Sequence, residues 1–177
     1  NESSVDPGAT GTFTFSLVAP ANAGVYREYF QPVIDGLMWM QDIGIYWDIT
    51  VEDESYHASY STQSSYLTLK PDETTQVWVE YKNIGSAIWR ALGAKAVRLG
   101  TSRQQDRSSA VKHTSWLGDN RAATLGSDVA PNATGRFTFT IQAPTAKGTY
   151  REYFQPVVDG LQWMEDIGLY WDITVAE

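Results

Sequence analysis

The strongest constraint on this chain is that it repeats itself. Tyr26-Arg27-Glu28-Tyr29-Phe30-Gln31-Pro32-Val33 recurs as Tyr150-Arg151-Glu152-Tyr153-Phe154-Gln155-Pro156-Val157, and residues 5–51 align with residues 129–175 without a gap, offset by 124 positions. By direct count 33 of these 47 positions are identical, so the two stretches are copies of one module. The 177 residues therefore divide into one complete module, 54–177, and before it the C-terminal half of another, 1–53. Strands without a partner sheet expose an apolar face and an open hydrogen-bonding edge, and small isolated β units are marginal in water. The half-module is thus expected to be completed, either by upstream sequence of the same polypeptide or by strands of another chain.

The module reads as all-β. Val77, Val79 and Tyr81 alternate with Trp78, Glu80 and Lys82, and Phe137, Phe139 and Ile141 alternate with Arg136, Thr138 and Thr140. Leu169, Trp171, Ile173 and Val175 form a third stripe of period two, and Val97 and Leu99 a shorter one. Turn residues punctuate these runs, including Asp159-Gly160, a pair suited to a type I′ hairpin turn. Seven or so short strands in one module predict an immunoglobulin-like antiparallel β-sandwich. Gly148-Thr149-Tyr150 fits a tyrosine corner, from which the strand would carry Glu152 and Phe154 inward. A buried Glu152 needs a cationic partner, expected among Arg98, Arg103 and Arg107.

Trp78 with Tyr81-Lys82-Asn83-Ile84-Gly85 and Trp89, Pro131 before Phe137 and Phe139, Ala143-Pro144 with Gly148-Thr149-Tyr150, and the stretch from Trp163 to Val175 occur in a set order. Together they resemble the four-tryptophan (FW) domain, an Ig-like module of selective-autophagy receptors and of bacterial cell-surface and cell-wall proteins. The bacterial members are the more similar, through the Leu99-Gly100-Thr101-Ser102-Arg103 and Asp106-Arg107 loop and the Tyr-Arg-Glu-Tyr-Phe strand. The resemblance implies a spacer or binding module at the cell surface and brings no catalytic residues with it. Pattern and resemblance together give an expected core of Trp78, Trp89, Phe137, Phe139, Tyr150, Phe154 and Trp171.

Composition narrows the function. A net charge of −8 with scattered Lys and Arg lacks the basic face that nucleic acid requires. Absence of Cys removes disulfides and thiolate chemistry. No apolar run approaches the roughly 18–20 residues that span a bilayer, and Asn1-Glu2-Ser3-Ser4 does not read as a signal peptide, so any export signal or anchor is expected outside this segment. The many aromatic and hydroxyl residues with only 19% charged residues favour an extracellular, cell-surface setting.

No catalytic, cofactor or metal site is expected. Glu165-Asp166 and Asp172 lack the geometry of a catalytic carboxylate pair, because neighbours on a strand point to opposite faces. His57 and His113 lack zinc spacing, Asp159-Gly160 and Asp35-Gly36 lack the further oxygen ligands of a calcium loop, and Ser102 and Ser115 lack a triad. The expected partners are adjacent copies of the repeat, with a glycan or protein ligand as the alternative. At the junction, Tyr56, Tyr60 and Tyr66 are the candidate interface residues. The basic cluster Arg98, Arg103, Arg107 and Lys112, with Arg103 and Arg107 foremost, could meet Glu52-Asp53-Glu54 of a neighbouring module. The leading functional expectation is a structural or adhesive surface stalk or filament of such modules; the alternative is a glycan-, peptidoglycan- or protein-binding module of a wall-associated enzyme.

Overall fold

A computed structural model describes residues 4–177, which divide into two compact units at the boundary expected from the repeat, Asn1–Asp53 and Glu54–Glu177. In the first unit β1 (Gly24–Phe30) pairs antiparallel with β4 (Ile45–Val51), and the short strands β2 (Val33–Ile34) and β3 (Met38–Trp39) pair with each other. The second unit contains β5 (Ala58–Gln63), β6 (Leu67–Leu69), β7 (Thr74–Asn83), β8 (Val97–Thr101), β9 (Arg121–Thr124), β10 (Thr134–Gln142), β11 (Gly148–Val158), β12 (Gln162–Trp163) and β13 (Tyr170–Val175).

The second unit is an Ig-like two-sheet sandwich. One sheet has the order β10-β7-β5 and the other β6-β13-β11-β8-β9, with β12 folded onto β11. The chain leaves the first sheet after β5 and joins the second as β6, which runs parallel to the last strand, Leu67 beside Ile173 and Leu69 beside Val175. All other pairings are antiparallel. Because alternate side chains of a strand face opposite ways, Val77, Val79 and Tyr81 of β7 and Phe137, Phe139 and Ile141 of β10 meet Phe154, Trp171, Ile173 and Val175 from the opposing sheet in one core cluster. Phe139, Phe154 and Trp171 form mutual edge-on or tilted ring contacts with centroids 5.1–5.7 Å apart, the geometry aromatic quadrupoles favour.

Most of the expected core is in place: Trp89, Phe137, Phe139, Phe154 and Trp171 are buried, and Tyr150 packs partly against them. The Tyr150 hydroxyl donates to the Ala146 carbonyl at 2.9 Å, which closes the tyrosine corner, and Tyr26 does the same to Asn22 at 2.9 Å. Trp78 is a correction. It lies half-buried on the outer face of β7, where the Arg136 guanidinium stacks 4.2 Å from its ring centroid. The strand's period of two requires that position once Val77 and Val79 face inward. The Asp159-Gly160 hairpin forms, with a different turn from the one expected. Leu161 N–H donates to the Val158 carbonyl, and the positive φ falls on Gly160 alone, a type II pattern rather than type I′.

The duplicated sequence adopts different structures in its two settings. Residues 134–142 are a nine-residue strand on β7, whereas the matching residues 10–18 form no strand. Likewise β11 runs on through Val158 because Phe154–Val158 pair with β8, but β1 stops at Phe30. A β-strand is a pairing state as much as a local preference, and among the described residues the first unit holds no counterpart of β7 or β8.

Candidate interaction surfaces

Phe13, Phe15, Phe30, Pro32, Ile45 and Trp47 line a concavity of about 500 Å³ in the first unit. Its residues match, position for position, the sealed core of the complete copy. Phe13 is 79% exposed where Phe137 is 0%, and Trp47 is 48% exposed where Trp171 is 0%. The half-module keeps the cross-strand contacts it can make alone: Phe30 lies 4.9 Å from Trp47 and 5.0 Å from Phe15 between ring centroids. Contiguous exposed aromatic surface of this kind is uncommon on a folded domain.

A second surface lies on the outer face of the β6-β13-β11 sheet. Tyr66 stacks on Tyr170 at 5.3 Å with the rings 26° apart, and Tyr153 sits 5.6 Å from Tyr170. Arg151 lies over Tyr170 at 4.1 Å and binds Asp172 through two hydrogen bonds of 2.7 Å. That contact holds the Asp172 carboxyl below its usual range, and the Arg27–Asp48 pair repeats it in the first unit. Hydrogen bonding to Tyr170, with partial desolvation, pushes the Tyr66 hydroxyl up to about 12. Tyr60, Gln63, Tyr66 and Tyr170 border a shallow pocket of about 190 Å³ here. Sequence reading missed this row as a unit; the signal was the duplicated Arg-x-Tyr and Tyr-x-Asp pattern, whose register the strand pairing supplies.

The expected interface residues separate. Tyr60 and Tyr66 are exposed, but Tyr56 is a core residue, 2% exposed, with its hydroxyl donating to Glu54 at 3.3 Å, so its ring is not available to a neighbour. It comes from a stretch too short to show a period. Glu54 pairs with Lys95 inside the second unit, and Glu52 and Asp53 are exposed. Arg107 reaches the buried Glu152 at 2.7 Å, as expected for that glutamate, and is occupied within the domain. Arg103 packs on Tyr153 at 4.8 Å and approaches Asp166 at 3.4 Å. Arg107 is thus largely taken up within its own domain, while the Arg103 side chain stays 47% exposed. Lys112 pairs with Asp119.

The other polar candidates have structural partners too. Asp159 bridges Arg98 at 2.6 Å and Arg121 at 2.8 Å. Arg121 in turn lies 5.0 Å from the ring centroid of Trp163, which covers Gly100 so closely that a Cβ there would fall 2.7 Å from the ring. His113 contacts Ser115 at 2.8 Å, and Ser102 is fully buried. Among the described residues no group of three or more His, Cys, Asp or Glu is placed to hold a metal ion.

Glu165, in the loop between β12 and β13, ties down the start of β5. It accepts from the Ala58 N–H at 2.7 Å and lies 2.5 Å from His57 Nδ1. Burial pushes its pKa up, but the Ala58 N–H and His57 outweigh burial and leave it below the ordinary value of 4.5. A depressed folded-state pKa contributes stability above the unfolded value, lost as pH falls through the folded one. Glu165→Gln is therefore expected to cost under about 1 kcal/mol at neutral pH, since the side chain is 39% exposed. It should also flatten the fall in stability below pH 4.5, as read from urea melts across pH; an unchanged acid limb would contradict the assignment. The first copy already carries glutamine here, Gln41.

No protein-family model and no curated protein sequence matches the chain. Among solved structures it is similar to the ASH/PapD-like domain of human CEP192 (PapD-like domain 7), at 15% identity and a TM-score of 0.37, covering 78% of this chain and 98% of that one.

Proposed function

We propose that this chain is a stretch of a structural or adhesive surface protein, a stalk or filament built from repeated Ig-like sandwiches. The observation that carries the reading is the second copy of the module's C-terminal half, which folds its own hairpins but leaves a ready-made core face open. Repeated modules contact mainly their sequence neighbours, so reach is set by repeat number and stiffness by the junction. That junction is short: Val51 ends β4, and Glu54 already belongs to the second unit through Lys95.

The test is the denatured mass of the native protein together with its N-terminal sequence. A polypeptide of several modules, with further near-copies of residues 54–177, is expected; a native chain that carries this module once would sink the array reading.

The Tyr66-Tyr170-Tyr153 row favours a second reading, a glycan- or peptidoglycan-binding module, because stacked aromatic faces flanked by Arg and Asp suit sugar rings. Titration with cell-wall polysaccharide separates the two. Binding abolished by Tyr66→Ala supports the row, whereas no binding leaves it as a cross-strand ladder.

A further inference from the structure

We infer that the open face of the first unit is a docking surface for a segment with the residue pattern of 54–128, carried on the same polypeptide ahead of Val5. The inference rests on the reading of the chain as part of a repeat array and names the partner that array requires.

The complete copy shows what covers each matching residue. Phe137 and Phe139 pair with Val79 and Val77 of β7, and Phe154, Pro156 and Val158 pair with Thr101, Leu99 and Val97 of β8. Their equivalents Phe13, Phe15, Phe30, Pro32 and Ile34 have no such strands beside them. The occupant must therefore supply two strands with inward apolar residues, one for each exposed edge.

Charge points the same way. Residues 1–53 contain one basic residue, Arg27, and eight acidic ones, whereas residues 54–128 contain nine basic and seven acidic residues. The missing half is the cationic half. Glu28 corresponds to Glu152, which Arg107 neutralises, and Asp35 corresponds to Asp159, which Arg98 and Arg121 hold. Arg27 is committed to Asp48. Two such faces pressed together would bring carboxylates without cations, which disfavours a symmetric dimer.

Connectivity selects the source. In the complete copy the covering segment runs straight into the covered one: Trp89 bridges to Val129, Leu125 to Phe137, and Asp128 accepts from the Ala91 N–H at 2.9 Å. A segment joined just ahead of Val5 pays only loop-closure entropy, far less than a separate chain loses on association. A second copy of this chain could lend its residues 54–128 only by opening its own core, since each chain has one first half for two second halves.

The experiment places a copy of residues 54–128 directly ahead of Val5 in the full chain and follows amide hydrogen exchange. Amides of β1 and β4 in the extended chain should reach protection within about tenfold of those in β11 and β13, while in the original chain they exchange at least a hundredfold faster. Arg107→Glu in the added copy alone should remove much of the new protection without altering residues 54–177. Unchanged β1 and β4 exchange in the extended chain would overturn the inference, as would a stable dimer of the original chain that already protects them. A native protein with a single module would end both the array reading and the covalent source of the occupant, whereas unchanged exchange in the extended chain would end the docking alone, so the two failures are distinguishable.

Discussion

Phe139→Ala should destabilise the complete domain by about 3–5 kcal/mol, while Phe15→Ala, the same substitution at the matching position, should change stability by under about 1 kcal/mol. Phe139 is 4% exposed and touches Trp116, Phe154 and Trp171, so truncation leaves a cavity among rings that cannot collapse onto it. Phe15 is 48% exposed and, among the described residues, has only Phe30 and Trp47 as ring neighbours. Chemical denaturation followed by the exchange of β11 and β13 amides reads the first, and that of β1 and β4 the second. Equal losses at the two sites would mean that the first unit has a sealed core of its own. The contrast should vanish in the extended chain, where Phe15 becomes a core residue and its truncation becomes costly.

Arg107→Ala is expected to cost about 2–4 kcal/mol, because it strands a carboxylate whose side chain is 6% exposed. The arginine is 23% exposed, which holds the effect below the upper end for fully buried pairs. Replacing both partners by apolar residues of similar volume, Arg107→Met with Glu152→Leu, should recover most of the loss, since the penalty lies in the unpaired charge rather than in the attraction forgone. Urea melts of the two single variants and the double variant give the coupling directly. A loss from Arg107→Ala no larger than that of an exposed pair such as Arg90–Asp128 would show that Glu152 is hydrated in solution.

Much of the sandwich was legible because period two is a strong signal where one face is buried: Val77-Val79-Tyr81 and Phe137-Phe139-Ile141 announce both strand and inward face. Glu152 could be matched to a short set of arginines because a buried carboxylate must be neutralised and Arg98, Arg103 and Arg107 belong to the basic cluster of the module. Trp78 was misplaced because the family resemblance was set above the strand's own alternation; the neighbouring inward valines decide its side, and a stacked guanidinium makes the outward position tolerable. Tyr56 and the double arginine bridge at Asp159 depend on long-range approach between segments, which no local pattern encodes. The tyrosine row needed the β11–β13 register, and Tyr66 joins it through the parallel pairing of β6. The open face of the first unit was legible as a missing half, but its acidity and its unpaired Glu28 and Asp35 acquire meaning only from the partners of Glu152 and Asp159.

The parallel pairing of β6 with β13 also governs how such a protein can be synthesised. Residues 67–69 find their partner only when residues 173–175 have left the ribosome, so each module stays unlatched for about a hundred residues of translation. Throughout that interval the preceding module's β13 equivalent, Tyr46–Val51, offers the same Tyr-Trp-Asp-Ile-Thr-Val sequence as Tyr170–Val175. A nascent β6 therefore meets an identical wrong strand before it meets the right one. In an array of the kind proposed, misassembly between neighbours is the characteristic failure, and prompt closure of each module before the next begins to emerge would prevent it.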